Sequence, residues 1–312
     1  MARGSQSAVA AGALHNLAEV RIRHPNVHVQ GKPGNMVKTP SPKLAAERAH
    51  FIRSQLPPGN LLAGLEWRIT PEPFRLGAAL TREIETLGRI LVQFYRAVNL
   101  LYRQSVAGKQ PAWVAAWLDQ GKPAELIELQ RSVAFKNDLP RIIRPDILIT
   151  DSGLSIVELD SVPGGIGLTA WLNRTYTEVI GGAEGMLDGF ASIFGDAAQV
   201  DLIISEEAAT YRPEMEWLCA QLNAGEAVAG NGANQEGRFR IRDSSWQDFQ
   251  PGQAVYRFFE LFDLPNIPCA KTIFTAAQNK MLQLTPPPKP IFEEKMLFAL
   301  LWNRNLYDFW RR

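Results

Sequence analysis

Two short segments of the chain combine one guanidinium and three carboxylates at a spacing of two residues. They are Arg144-Pro-Asp146 and Glu158-Leu-Asp160, and each lies in a run rich in β-branched residues. In a β-strand, residues two positions apart share one face, so each segment presents both of its charged side chains together. Carboxylate oxygens suit Mg²⁺, and an adjacent arginine suits charge that develops during phosphoryl transfer. These residue types point to magnesium and phosphate chemistry.

The segments flank Asp151-Ser152-Gly153, which is typical of a three-residue hairpin loop with glycine in the left-handed conformation. Such a loop places Thr150 opposite Leu154 and brings the charged residues into two cross-strand pairs. The expected pairs are Asp146 with Glu158 and Arg144 with Asp160. The other face of the hairpin is expected to pack on a core. It carries Ile143, Ile147, Ile149, Val157 and Leu159.

The pairing leaves an excess of negative charge on one face, because three carboxylates accompany one arginine. Mg²⁺ is one way to offset that excess. A plain hairpin with an exposed ion pair between Arg144 and Asp160, worth about 0.2 to 1 kcal/mol, is the alternative. Spacing alone favours this alternative, and a one-residue change of register would separate Asp146 from Glu158.

A glycine-rich turn follows the second segment and leads into a predicted helix. Backbone N–H groups at such a turn can hold an anion, so Ser161, Gly164 and Gly165 are expected to bind substrate. Close packing accounts equally well for the same glycines.

Together these segments resemble the ATP-grasp ligases of the glutathionylspermidine synthase type. The shared pattern is Arg-x-Asp, eleven residues, then Glu-x-Asn or a similar oxygen ligand, and Asp160 stands where the family usually has Asn. A second segment, from Pro290 to Trp302, resembles the family segment whose lysine contacts ATP phosphates. The likeness covers roughly residues 140–312. It implies that Asp146, Glu158 and Asp160 hold Mg²⁺, that Arg144 stabilises the acyl-phosphate step, and that Lys295 binds ATP.

The resemblance implies an ATP-dependent ligase that couples a small-molecule carboxylate to an amine. Pro163-Gly164-Gly165 stands where the family has hydroxyl groups near glutathione, which argues against that substrate. The apolar residues near the end of the chain are expected to lack a partner, so the chain is expected to be the N-terminal part of a longer enzyme. They are Leu301, Trp302, Leu306, Phe309 and Trp310. The alternative is a non-catalytic α/β protein that binds a small anion.

Alternating strand and helix patterns predict an α/β fold, with α+β left open, and the resemblance implies a mixed sheet. The expected organisation has four parts. These are a flexible arm at 1–60, a helical segment at 61–140, an α/β substrate and magnesium domain at 141–270, and a helical connector with the start of the ATP-binding part at 271–312. Within the helical segment, an amphipathic pattern predicts a long helix over about 74–106. Arginines recur every seven residues along it, and an ordinary solvated face explains them best.

Composition limits the binding partners, the catalytic mechanisms and the location that the sequence predicts. Lys plus Arg number 33 and Asp plus Glu 32, and a net charge of +1 favours neither nucleic acid nor a membrane as partner. All four histidines precede residue 51, so a mechanism in the rest of the chain must work without histidine. Two cysteines without metal-ligand spacing, and no secretory or membrane-spanning apolar stretch, predict a soluble cytoplasmic protein.

Overall fold

Among the described residues, helices alone precede residue 144, strands and further helices lie between residues 144 and 285, and helices follow. The computed structural model describes residues 42–57, 61, 68–151, 153–228 and 237–311. The helices are α1 Pro42–Ser54, α2 Ala78–Val106, α3 Ala112–Asp119, α4 Ala124–Arg131, α5 Ile166–Ile180, α6 Met186–Ser192, α7 Arg212–Val228, α8 Ala270–Gln278, α9 Leu297–Trp302 and α10 Tyr307–Trp310. The strands are β1 Arg144–Thr150, β2 Gly153–Asp160, β3 Val200–Ile204, β4 Phe239–Asp243, β5 Ala254–Phe258 and β6 Gln283–Thr285. The predicted α/β fold with an N-terminal helical part is confirmed.

The chain divides into two compact units, and both are discontinuous in sequence. Among the described residues it comprises 76–161 and 286–311, and the second unit comprises 42–75 and 162–285. The hairpin therefore belongs with the preceding helices and the end of the chain. The expected domain at 141–270 does not match this division, because it joins the hairpin to strands of the other unit.

The core of the first unit forms around α2. Its apolar face is buried at three- and four-residue steps that include Leu87, Leu91, Phe94 and Val98. Phe94 stacks on Phe298 and on Trp310, with ring centroids 5.8 and 6.1 Å apart.

The apolar residues near the end of the chain find partners inside this core. Leu306 and Trp310 are buried, Leu301 and Phe309 pack against the cluster, and Trp302 is 55% exposed. The expectation that these residues lack a partner is therefore wrong for four of the five. It failed because α2 and the end of the chain, distant in sequence, share one core.

The second unit contains a four-stranded parallel sheet in the order β4-β3-β5-β6. Every residue of β3 and β5 is buried, as expected for central parallel strands covered on both faces. Helices α7 and α8 lie in the connections from β3 to β4 and from β5 to β6. The expected mixed sheet is wrong, since the antiparallel hairpin forms a separate two-stranded sheet.

Part of the expected flexible arm is helical. In α1, Ile52 is buried in a cluster with Trp171, and the indole nitrogen of Trp171 donates a hydrogen bond to the Gln55 carbonyl at 3.1 Å. Residues 1–41 and 58–60 of that arm lie outside the described residues. No described helix combines the length and the apolar character needed to span a membrane.

Candidate functional site

The hairpin pairs the charged residues as the sequence predicts. Arg144 lies opposite Asp160, and Asp146 lies opposite Glu158. Both pairs stand at the base of the hairpin, where the side chains at positions 144, 146, 158 and 160 share one face.

The hairpin reaches this register by a different route from the expected one. Thr150 pairs with Gly153 instead of Leu154, so the connection is one residue shorter than predicted. A β-bulge then adds Val157 to β2, because Ile147 pairs with Ile156 while Asp146 pairs with Glu158. The two departures cancel at the charged end of the hairpin.

The apolar face of the hairpin is only partly covered. Ile143 and Leu159 pack against the core of the first unit, whereas Ile149 and Val157 are more than half exposed. The expected core face is therefore confirmed at the base of the hairpin and wrong nearer its tip. The core of the first unit anchors the hairpin at the end that carries the charges.

Arg144 joins two of the carboxylates. Its Nη2 lies 3.0 Å from Oδ2 of Asp160 across the hairpin, and its Nε lies 3.4 Å from Oδ1 of Asp146 on the same strand. Nearly half of the Arg144 side chain is exposed, so solvent screens these ion pairs. The guanidinium nonetheless fixes the spacing between the two acids.

Lys295 reaches the same face from the end of the chain. Its Nζ lies 3.0 Å from Oε1 of Glu158, and 80% of the side chain is exposed. The hydrogen bond to Glu158, followed by the charges of Glu158, Asp146 and Asp160, raises the pKa of Lys295. The two segments that carry the family resemblance thus meet within one unit. We call Arg144, Asp146, Glu158, Asp160 and Lys295 the charge cluster.

The charge cluster is largely neutralised by its own side chains. Three carboxylates and two cations leave a net charge of 2 − 3 = −1. Across the described residues, no three or more Asp, Glu, His or Cys side chains are gathered as a metal site. The oxygen donors have the chemistry that Mg²⁺ prefers, but a cation that used Glu158 would have to displace Lys295. A lysine far away in sequence therefore offsets half of the charge excess that suggested a metal, reducing it from −2 to −1.

Tyr95 is a buried neighbour of the charge cluster that sequence reasoning missed. Burial, followed by the negative charges of Asp160 and Glu293, raises the pKa of Tyr95 well above its ordinary range. Its hydroxyl lies 3.4 Å from the Phe292 carbonyl, in the turn that precedes Lys295. The tyrosine therefore stays protonated and contacts the segment that presents Lys295.

Lys289 was also missed, because the surrounding prolines indicated only a stiff connector. Residues 286–292 are all buried, and Lys289 is 1% exposed. A lysine within a run that is otherwise apolar or proline was the available signal.

The glycine-rich turn holds an anion that the chain itself supplies. The backbone N–H of Gly165 donates to Oε1 of Glu214 at 2.6 Å, and that of Leu168 donates to Oε2 at 3.0 Å. Glu214 is fully buried, and burial raises its pKa against the lowering effect of these two bonds. An internal carboxylate thus takes the N–H group of Gly165, and the expectation that this turn binds a substrate anion stays a prediction.

The glycines of the turn have packing reasons. A Cβ at Gly164 would lie 2.4 Å from the Tyr211 ring, and one at Gly167 would lie 2.2 Å from the Glu214 carbonyl oxygen. Gly165 adopts φ of +82°, the left-handed region that favours glycine. These contacts support the packing alternative.

Ser161, the third expected substrate residue, belongs to the first unit, whereas Gly164 and Gly165 belong to the second. Its hydroxyl is buried and has no hydrogen-bond partner among the described residues. The charge cluster is therefore the part of the expected site that the first unit assembles.

No protein-family model and no curated protein matches the chain at a significant level. Inference about function rests on the charge cluster and on the sequence patterns that define it.

Proposed function

We propose that this chain provides the magnesium- and phosphate-binding part of an ATP-dependent carboxylate–amine ligase. The observation that carries the proposal is the 3.0 Å contact between Lys295 and Glu158. The two segments resemble the same family independently, and their charged residues lie side by side. A plain salt-bridged hairpin requires no lysine from the end of the chain.

In the proposed reaction, the substrate carboxylate attacks the terminal phosphorus of ATP and forms an acyl phosphate with release of ADP. The amine then attacks the acyl carbon, loses a proton and displaces phosphate. Asp146, Glu158 and Asp160 would hold Mg²⁺, which when bound would supply positive charge to the phosphate oxygens. Arg144 stabilises charge on the transferring phosphoryl group, and Lys295 binds the nucleotide phosphates.

The ion pairs of the charge cluster suit this use, because they keep the carboxylates spaced before a cation binds. Arg144 holds Asp146 and Asp160, while Lys295 holds Glu158. A divalent cation on the carboxylates would release both basic side chains toward phosphate oxygens. Lys295 is the more readily released, since it is mostly exposed and makes one ion pair.

Small-molecule substrates and a cytoplasmic location complete the proposal. A net charge of +1 provides no field for nucleic acid, and ATP is supplied in the cytoplasm. Cys219 and Cys269 are free and buried, and burial raises the pKa of both thiols to about 12. Unreactive free thiols suit a reducing compartment.

Mn²⁺ as a paramagnetic substitute for Mg²⁺ tests the metal assignment. Electron paramagnetic resonance of free Mn²⁺ would measure its uptake by the wild-type protein, with and without ADP. We expect uptake that ADP strengthens, and we expect Asp146→Asn and Glu158→Gln to reduce it strongly. Glu85→Gln, an exposed change on α2, is the matched control and should bind as the wild type. Equal uptake by all four proteins would refute the proposed metal site.

The near neutrality of the charge cluster leaves a second candidate, a non-catalytic protein in which Arg144 and Lys295 exchange their carboxylates for a small anion. This candidate needs no metal, which agrees with the near neutrality of the charge cluster. Calorimetric binding of inorganic phosphate without Mg²⁺, lost in Arg144→Met and Lys295→Met, would support it over the ligase.

A further inference from the structure

A buried lysine ties together the two chain segments that meet in the charge cluster. The Nζ of Lys289 donates hydrogen bonds to Oδ1 of Asn99 at 2.6 Å, to the Asp138 carbonyl at 3.1 Å and to the Phe135 carbonyl at 3.3 Å. An ammonium has three protons, so every donor has an oxygen acceptor. Lysines are almost never buried without such compensation.

The turn that follows Lys289 is fixed by further contacts. The ammonium lies 5.1 Å from the centroid of the Phe292 ring, a cation–π contact that offsets part of the cost of burial. The Ile291 N–H donates to Oε1 of buried Gln130 at 3.0 Å, and the Tyr95 hydroxyl donates to the Phe292 carbonyl. Residues 290–292 therefore have little freedom to move relative to α2 and α4.

The hydrogen bonds of Lys289 lie shortly before both segments that carry the charge cluster. From Asp138 the chain enters β1 at Arg144, six residues later, and from Lys289 it reaches Lys295, also six residues later. Six residues span at most about 20 Å. Because Lys289 is hydrogen-bonded to Asp138, the distance between Lys295 and the hairpin is therefore limited. Asn99 adds the rigid helix α2 as a common support.

We infer that Lys289 is the positioning residue of the charge cluster, because its ammonium joins the chain leading into β1 to the chain that presents Lys295. The three hydrogen bonds of the Lys289 ammonium go to Asn99, Phe135 and Asp138, none of which belongs to that cluster. The role of this positioning in catalysis rests on the proposed function. The claim that Lys289 holds Lys295 near the hairpin does not depend on that function.

Carbodiimide cross-linking tests the geometric claim on the whole chain without any nucleotide. The reagent activates a carboxyl group, and a contacting lysine amine displaces the urea to form an amide. Two lysine–carboxylate ion pairs of the described residues suit the reaction, Lys295 with Glu158 at 3.0 Å and Lys122 with Glu294 at 2.8 Å. Mass spectrometry of the digested protein would give the yield of each cross-link.

In Lys289→Met we expect the yield between Lys295 and Glu158 to fall severalfold. The yield between Lys122 and Glu294 should persist, because Gln130 still holds Ile291. A general loosening of the fold would lower both yields together. An unchanged first yield in a folded variant, or equal loss of both, would overturn the inference.

A milder pair of variants decides the question if Lys289→Met does not fold. Asn99→Asp keeps an oxygen acceptor for Lys289, whereas Asn99→Leu removes it. We expect the first to retain the Lys295 to Glu158 cross-link and the second to lose it, and equal yields would overturn the inference. Mn²⁺ uptake measured on the same proteins reports separately on the proposed function, so either claim can fail alone.

Discussion

The ammonium of Lys295 lies 3.0 Å from the carboxylate of Glu158, and this contact joins the hairpin to the chain that follows the turn at residues 290–292. Both groups lie in the first unit, where α2 supports the hairpin and the end of the chain.

Lys295→Met separates metal binding from phosphate binding. Lys295 competes with a cation for Glu158, so its removal should strengthen Mn²⁺ uptake without nucleotide and weaken the added effect of ADP. Thermal unfolding should be unchanged, because the side chain is mostly exposed. Electron paramagnetic resonance and a melting curve check this. Weaker uptake of Mn²⁺ alone would show that Lys295 does not compete for Glu158.

Two variants of Asp160 distinguish its role as an oxygen ligand of a metal from its role as the ion-pair partner of Arg144. Asp160→Asn keeps a side-chain oxygen and removes the charge that faces Arg144 at 3.0 Å. If the oxygen binds a metal, Asp160→Asn should retain most Mn²⁺ uptake and Asp160→Leu should lose it. Equal, complete loss in both variants would mean that the charge matters and the oxygen does not.

Gly167 should tolerate no side chain. A Cβ there would lie 2.2 Å from a backbone oxygen of Glu214, so Gly167→Ala should lower the free energy of unfolding by about 1 to 3 kcal/mol. Gly88, inside α2, has open space around it, and Gly88→Ala should raise the same quantity by about 1 kcal/mol. Urea denaturation of both variants would measure the difference. Similar stability of the two proteins would contradict the close approach of α5 to α7.

Lys289 should make stability depend on pH above neutrality. Burial lowers the pKa of Lys289 to about 7, with Asp138 opposing the shift and Arg103 adding to it. Between that value and the ordinary 10.5, the unfolded chain holds a proton that the folded chain lacks. Rising pH removes that proton from the unfolded state, so folding becomes more favourable over this window.

The comparison protein for this pH effect is Lys289→Met. The unfolding free energy of the wild type minus that of Lys289→Met should rise from about pH 7 towards pH 10.5. Denaturation at several pH values measures it. A difference that stays constant would mean that the three oxygen acceptors hold the ammonium charged throughout.

Much of the local structure could be predicted from sequence, because periodicity determines it. The apolar runs at β3 and β5 predict buried strands, and the charged pairs of the hairpin follow from the two-residue period. The bulge at Val157 could not be predicted, since any of several residues could have been the extra one. The correct pairs thus arose from an incorrect loop length.

The long-range features were beyond sequence reasoning, because they depend on contacts between distant segments. The sequence predicts backbone N–H groups at the glycine-rich turn, but nothing local identified the Glu214 carboxylate as the group that accepts their hydrogen bonds. Lys289 could not be recognised, because it lies among prolines. Neither α2 nor the end of the chain alone indicates that the two share one core. The discontinuous first unit follows from those same contacts.

The most direct test of the central claim is a calorimetric titration of ATP into the protein in the presence of Mg²⁺. We predict saturable binding by the wild type that disappears without Mg²⁺ and is abolished by Glu158→Gln, with Glu85→Gln binding as the wild type. Binding that is equally strong without Mg²⁺, or unaltered by Glu158→Gln, would contradict the account.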